Sequence, residues 1–141
     1  MPTFNIQITI NVETLSLKPT KTTPEVLFAV GNLQLSGESY PEDAPEFYKT
    51  LVQWVEAYTH IEYVKLKTNK TKFENKINFF NTASRGFLLE IVSRLNRLYL
   101  AGHQVEIIWH YDSDEGIDED DMNFKDLIDD FKIVVKYIPA I

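Results

Sequence analysis

The chain has 141 residues, enough for one domain that buries roughly two-thirds of its unfolded surface. Forty-four per cent of it is hydrophobic, with 2 Trp, 7 Tyr and 9 Phe, which excludes an intrinsically disordered chain. The 21 acids outnumber the 14 bases, and the net charge of −7 disfavours nucleic acid and anionic membrane as main partners.

Cysteine is absent, which removes disulfides, thiolate zinc sites, iron–sulfur clusters and a cysteine nucleophile. No apolar run approaches the ~20 residues that span a bilayer. Met1-Pro2-Thr3-Phe4 lacks the basic and apolar regions of a signal peptide. The expectation is a cytoplasmic, acidic, single domain over residues 1–141.

Phe4, Ile6, Ile8, Ile10 and Val12 alternate with polar residues and predict a strand. Val26 to Val30 and Leu33 to Leu35 flank Gly31-Asn32, which predicts a two-residue hairpin loop of type II′. Asp43, Pro45 and Glu46 mark a helix start, with Phe47, Leu51, Trp54, Val55 and Tyr58 at helical spacing behind them. Ile61, Tyr63 and Leu66 read as a strand, a lysine-rich stretch follows, and Ile77 to Phe80 read as the next strand. A second long helix starts at Asn81 or Thr82, buries Phe87, Leu88, Ile91, Val92, Leu95, Leu98 and Tyr99, and ends before Gly102. Gln104 to Trp109 predict a strand, then come an acidic loop, a short helix over 124–130 and a last strand over 133–137. Alternating strands and helices, of which only two are long, predict an α/β (α+β) fold: one mixed sheet with helices packed mainly on one face.

Chemistry is best placed at Asn78 to Gly86, where an apolar strand runs into a helix through amide and hydroxyl residues. Free backbone N–H groups and the macrodipole at a helix start favour an anion. The commoner role of Asn81, Thr82 or Ser84 there is to cap the helix. Asp112 to Asp121 hold seven carboxylates in ten residues. The EF-hand register fails, since Gly116 at the sixth position would put Tyr111 first and Met122 twelfth. A solvated loop, or a docking surface for a basic partner, remains.

Lys65, Lys67, Lys70, Lys72 and Lys76 form the one basic cluster, read as a solvated strand edge that discourages sheet-to-sheet pairing. His60, His103 and His110 are isolated in sequence and show no metal-ligand spacing, so they read as structural or surface residues. Nucleophile-elbow, Walker A and dinucleotide fingerprints are all missing, which predicts no catalytic residues, no metal and no cofactor.

Four segments occurring in order carry a resemblance: Thr20 to Val26; Gly37 to Glu42 with Phe47-Tyr48; Phe80 to Ser84; and Trp109 to Glu115. Over about residues 15–137 the chain resembles the SiaC family of bacterial regulatory phosphoproteins. The resemblance implies a fold similar to the anti-sigma-factor antagonist (STAS-like) domains. It implies a switch in which a partner protein kinase phosphorylates one threonine and a PP2C-type phosphatase reverses it. It further implies an unphosphorylated form that engages and activates a diguanylate cyclase, in cyclic-di-GMP signalling and biofilm formation.

The family's phosphothreonine falls on Thr82, with Asn81 and Ser84 matching its flanks and Ser84 the fallback acceptor. Ala83 stands where serine is commoner, and Arg85-Gly86 match more loosely. Glu38, Tyr40, Asn81, Ser84, Arg85, Asp112 and Asp114 are the candidate partner-binding residues. Residues 1–13 have no family counterpart and read as an extra strand; 68–75 read as an insertion. The alternative is a small anion- or metabolite-binding domain or enzyme that uses the junction from Asn81 to Arg85. A nucleic-acid role through the lysines is the remaining option.

Overall fold

The computed structural model describes residues 12–60, 64–65, 67–112, 128 and 131–140. Eight elements follow in order: β1 (Leu15–Leu17), β2 (Glu25–Ala29), β3 (Asn32–Ser39), α1 (Ala44–Tyr58), β4 (Lys70–Phe80), α2 (Thr82–Leu100), β5 (Gln104–Asp112) and β6 (Val135–Ala140). They form one six-stranded sheet in sequence order, antiparallel from β1 to β3 and parallel from β3 to β6. Crossovers between parallel neighbours are right-handed, and these all step the same way along the sheet. Both long helices therefore lie on one face, which is the mixed, one-sided architecture expected from the sequence.

Period-2 burial fixes the strands. Val26 and Phe28 of β2, Leu33 and Leu35 of β3, Phe73 and Ile77 of β4, and Ile107 of β5 point into the core. They meet Tyr48, Leu51, Val55 and Tyr58 of α1 and Leu88, Ile91, Val92, Leu95 and Leu98 of α2. Each such aliphatic or aromatic side chain stabilises by about 1.5–3 kcal/mol when fully buried. Asp43 caps α1, its Oδ1 accepting from the Glu46 N–H at 3.2 Å, with Pro45 in the first turn. Helix α2 ends at Ala101, followed by Gly102 at φ 105°, the left-handed backbone that stops a helix. Asn96 of α2 accepts from the backbone N–H groups of Lys132 and Ile133, both at 3.1 Å, and so anchors the approach to β6.

Several expectations change. The hairpin loop is Val30-Gly31, not Gly31-Asn32, because Ala29 pairs with Asn32. Its glycine is second, at φ 83°, where a type II rather than a type II′ turn requires it. Ile61, Tyr63 and Leu66, expected as a strand, lie outside the described residues; beside them Val64, Lys65 and Lys67 are helical, and the Thr68 N–H donates to the Val64 carbonyl at 3.0 Å. The lysine-rich stretch is no sheet edge. Residues 70–75 are the first half of β4, paired with β5 throughout and with β3 from Lys72 onward, with Lys70, Lys72 and Lys76 facing outward. Tyr99 is exposed rather than buried. The last strand starts two residues later and runs farther than expected. The strand expected over 4–12 lies outside the described residues apart from Val12, as do most of the acidic loop and the helix over 124–130.

Candidate functional site

Parallel strands β3, β4 and β5 all end at the same edge of the sheet, where α1 and α2 begin. In open sheets of this kind, ligands and partners meet the fold at the carboxyl ends of the strands. At that edge β3 and β4 are out of simple register. Gly37 pairs with Ile77, but Glu38 pairs with Phe79 and Ser39 with Phe80, so Asn78 is an extra residue in β4. Gly37 sits at φ 108°, which suits the distortion. The bulge inverts the alternation of β4. Residues 71, 73, 75 and 77 point inward, and Phe79 would have followed them; instead it points out, 55% exposed, while Phe80 turns in.

Helix α2 starts two residues later. Asn81, extended at φ −80° and ψ 174°, is the N-cap, and its Oδ1 accepts from the Ser84 N–H at 2.9 Å. Its own N–H donates to the Ser39 carbonyl at 3.0 Å, which ties the helix start to β3.

Beneath the helix start runs a buried chain of hydroxyls. Tyr48 Oη and Ser39 Oγ are 2.6 Å apart, Ser39 Oγ donates to Ser84 Oγ at 2.9 Å, and Ser84 Oγ donates to the Ser39 carbonyl at 3.1 Å. Each hydroxyl has one proton, so Tyr48 must donate to Ser39. Burial pushes the Tyr48 phenol above its ordinary value, against the opposing pull of the neighbouring Ser39 and Ser84 hydroxyls, so it stays a donor at neutral pH. Tyr48 also stacks on Phe87 of α2 at 5.2 Å with rings 2° from parallel. Strand β3 and the first turns of both helices are thus held as one unit.

The candidate residues separate sharply on this frame. Thr82 is the first residue of α2, exposed, and among the described residues its hydroxyl has no hydrogen-bond partner. Ala83 beside it is exposed. Ser84 has no exposed surface, and its hydroxyl is committed on both sides, so the fallback acceptor is a structural group in this conformation. Glu38 is exposed opposite Phe79, and Tyr40 is half-buried with its ring edge-on to Phe79 at 5.8 Å. Arg85 is half-buried in the first turn of α2. Asp112 ends β5 at the same edge of the sheet, and Asp114 lies outside the described residues.

Phe79 and Ser39 were missed by sequence reasoning. The bulge that exposes Phe79 leaves no sequence mark beyond a glycine in β3. Ser84 did carry a signal, standing four residues before Leu88 and so on the buried stripe of α2.

The histidines sit elsewhere. His103 Nε2 is 2.9 Å from Thr71 Oγ1, which is 2.6 Å from Tyr58 Oη, the acceptor of the Gly31 N–H at 2.9 Å. Burial holds the His103 imidazole below its ordinary value. His110 Nε2 lies 2.7 Å from Glu74 Oε2 on the open face, and this bond leads the effects that lower the Glu74 carboxyl. A hollow of about 450 Å³ lined by Lys65, Thr68, Asn69 and 101–104 lies at the opposite end of the sheet from Thr82. Among the described residues, no helix is long and apolar enough to cross a membrane.

The site is thus an exposed hydroxyl on a capped helix start, at the carboxyl edge of a one-sided mixed sheet, a place suited to a regulatory modification. The sequence model described as "SiaC family regulatory phosphoprotein" matches residues 17–138, and the chain belongs to that family. An uncharacterised protein of Pseudomonas aeruginosa strain UCBPP-PA14 is 26% identical over 100 residues, covering 70% of this chain and 75% of that protein. The fold is shared with the crystal structure of apo-SiaC from Pseudomonas aeruginosa, at a TM-score of 0.73 and 22% identity over 89% of this chain and 98% of that one. It is shared equally with SiaC in complex with the diguanylate cyclase SiaD, which SiaC activates, at a TM-score of 0.74 and 22% identity over 89% and 99% of the two chains.

Proposed function

We propose that this chain is a non-catalytic cytoplasmic switch: Thr82 is phosphorylated by a partner protein kinase, dephosphorylated by a PP2C-type phosphatase, and its unmodified form engages a diguanylate cyclase. The observation that carries the reading is the division of labour at the start of α2. Asn81 takes the capping role and Ser84 the structural one, which leaves the Thr82 hydroxyl exposed and, among the described residues, without a partner. A kinase reaches it without opening the core. The similar SiaC that forms a complex with a diguanylate cyclase supports the choice of effector.

Phosphorylation adds a charge of about −1.5 to −2 to a chain already at −7. In an interface built around unmodified Thr82 that dianion must be desolvated, so phosphorylation releases the cyclase. Glu38, Tyr40, Asn81 and Arg85 are its proposed docking surface, together with the acidic run from Asp112 expected from the sequence.

The test is phosphopeptide mass spectrometry on protein from its native host, with titration of the host's diguanylate cyclase against wild type, Thr82→Ala and Thr82→Asp. Phosphate on Thr82, retained binding by Thr82→Ala and lost binding by Thr82→Asp are expected. An unmodified Thr82 across growth states with full peptide coverage, or a Thr82→Asp variant that binds like wild type, would refute the switch.

A further inference from the structure

Phe79 is exposed by construction. Regular alternation along β4 would send it into the core behind Phe73 and Ile77, and the extra residue Asn78, opposite the left-handed Gly37, turns it to solvent. Bulges concentrate beside functional sites because they re-aim one side chain at the expense of ladder bonds. Here the re-aimed ring stands edge-on to Tyr40 and three residues before Thr82. Around it the chain presents uncharged Asn78, Asn81, Thr82 and Ala83, and an aromatic ring amid uncharged neighbours is what the centre of an interface carries. Among the described residues, the exposed carboxylates at this end of the sheet include Glu38, paired across from Phe79, Glu25 at the start of β2, and Glu42, Asp43 and Glu46 at the entry to α1; the nearby bases include Lys76, Arg85 and Lys21, which precedes the Thr22 carbonyl that accepts from the Tyr40 N–H.

We infer that Phe79 is the anchor by which this chain docks its effector, inserting into an apolar pocket of the cyclase whose rim is basic and pairs with Glu38 and the α1 carboxylates. The inference rests on the proposed switch and adds to it the residue that does the binding and the chemistry of the surface that receives it. It also explains why a phosphate on Thr82 is disruptive despite a basic partner. The rim bases are matched by existing carboxylates, so the new dianion beside a closing apolar pocket has no counter-charge and loses its water.

The experiment titrates the host's purified diguanylate cyclase with wild type, Phe79→Ala, Phe79→Leu, Glu38→Lys, Thr82→Asp and Leu100→Ala. Leu100, also exposed but at the far end of α2, is the control for removing surface apolar area. Urea unfolding of each variant verifies the fold. Phe79→Ala is expected to weaken binding at least about 30-fold, as truncated interface anchors do. Phe79→Leu should recover part of that loss, Glu38→Lys should slow association and flatten its salt dependence, and Leu100→Ala should change nothing.

Wild-type affinity for Phe79→Ala, with Thr82→Asp still impaired, would overturn the anchor and leave the switch standing. No binding by wild type would remove both. Concentration-dependent self-association of wild type that Phe79→Ala abolishes would also overturn the inference, since the patch would then be an interface between copies of this chain.

Discussion

Ser84→Ala and Tyr48→Phe, each deleting one hydroxyl from the same buried chain, should differ severalfold in cost. In the native order Tyr48 donates to Ser39, Ser39 to Ser84, and Ser84 to the Ser39 carbonyl. Removing the Tyr48 hydroxyl deletes one bond and strands no donor, because Ser39 still donates to Ser84. The expected loss is that of one hydrogen bond, about 0.5–1.5 kcal/mol. Removing the Ser84 hydroxyl deletes the acceptor that Ser39 needs. Ser39 can rotate to donate to Tyr48, but then the Tyr48 proton has no acceptor; one buried donor is orphaned in either arrangement. The Ser39 carbonyl keeps the Asn81 N–H at 3.0 Å and so does not add to the loss. An orphaned donor brings the total to about 1.5–4.5 kcal/mol, from one lost bond of about 0.5–1.5 kcal/mol and a desolvation penalty of about 1–3 kcal/mol. Urea unfolding at pH 7 with unchanged m-values reads the difference directly. If Ser84→Ala costs no more than Tyr48→Phe, the proton order is wrong and Ser84 is not the structural hydroxyl that leaves Thr82 as the accessible one.

Four further outcomes are expected of other parts of the molecule. Asn81→Ala should cost about 1 kcal/mol through the lost cap, while Thr82→Ala, exposed and unbonded, stays within about 0.5 kcal/mol in the same unfolding assay. His103 is held below its ordinary pKa of 6.5 by burial, so below that pH the unfolded chain binds the proton more readily than the native one. Its contribution is therefore present above pH 6.5 and is lost as pH falls through the native pKa. The wild-type urea midpoint should fall between pH 7.5 and 5.5 more steeply than that of His103→Gln. Glu56 meets Arg94 at 2.5 Å and Arg97 at 3.0 Å but is half exposed, so Glu56→Gln should cost under about 1 kcal/mol and less still in 1 M salt. Asn75 is fully buried between Leu35 and Trp109 with neither amide atom bonded among the described residues, so Asn75→Leu should be neutral or stabilising in thermal unfolding.

The helices were legible because capping and periodicity agree. Asp43, Pro45 and Gly102 stand where helix ends need them, and the apolar residues of α1 and α2 recur at three and four. Strand β4 was half hidden for a physical reason. Its inward positions before Ile77 include Thr71 and Asn75, and its outward ones Lys70, Lys72 and Lys76, so a central strand with one uncovered face carries the composition of a solvent loop. Thr82 was reached through family likeness, not through spacing. What isolates it is a contact between Ser39 and Ser84, 45 residues apart, and that depends on how strand and helix meet. The bulge at Asn78 was equally unreadable, since a slip of one residue is a property of pairing and not of either strand alone.

Thr82 stands where added charge and added stability point the same way, which separates the switch from damage to the fold. Helix α2 has no acidic residue in its first turn, so its positive dipole end is uncompensated there. A carboxylate at its first position should gain about 0.3–1 kcal/mol at low salt. Thr82→Asp is therefore predicted to raise the urea midpoint slightly, the gain shrinking in 1 M salt, while it weakens binding of the cyclase. A phosphate at Ser84 would instead place its charge in the chain of buried hydroxyls and should unfold the region. Stability up with binding down assigns the lost affinity to the interface. Should Thr82→Asp lower the midpoint by more than about 1 kcal/mol, its binding defect would be a folding defect, and the charge-based release argued for Thr82 would have no support from that variant.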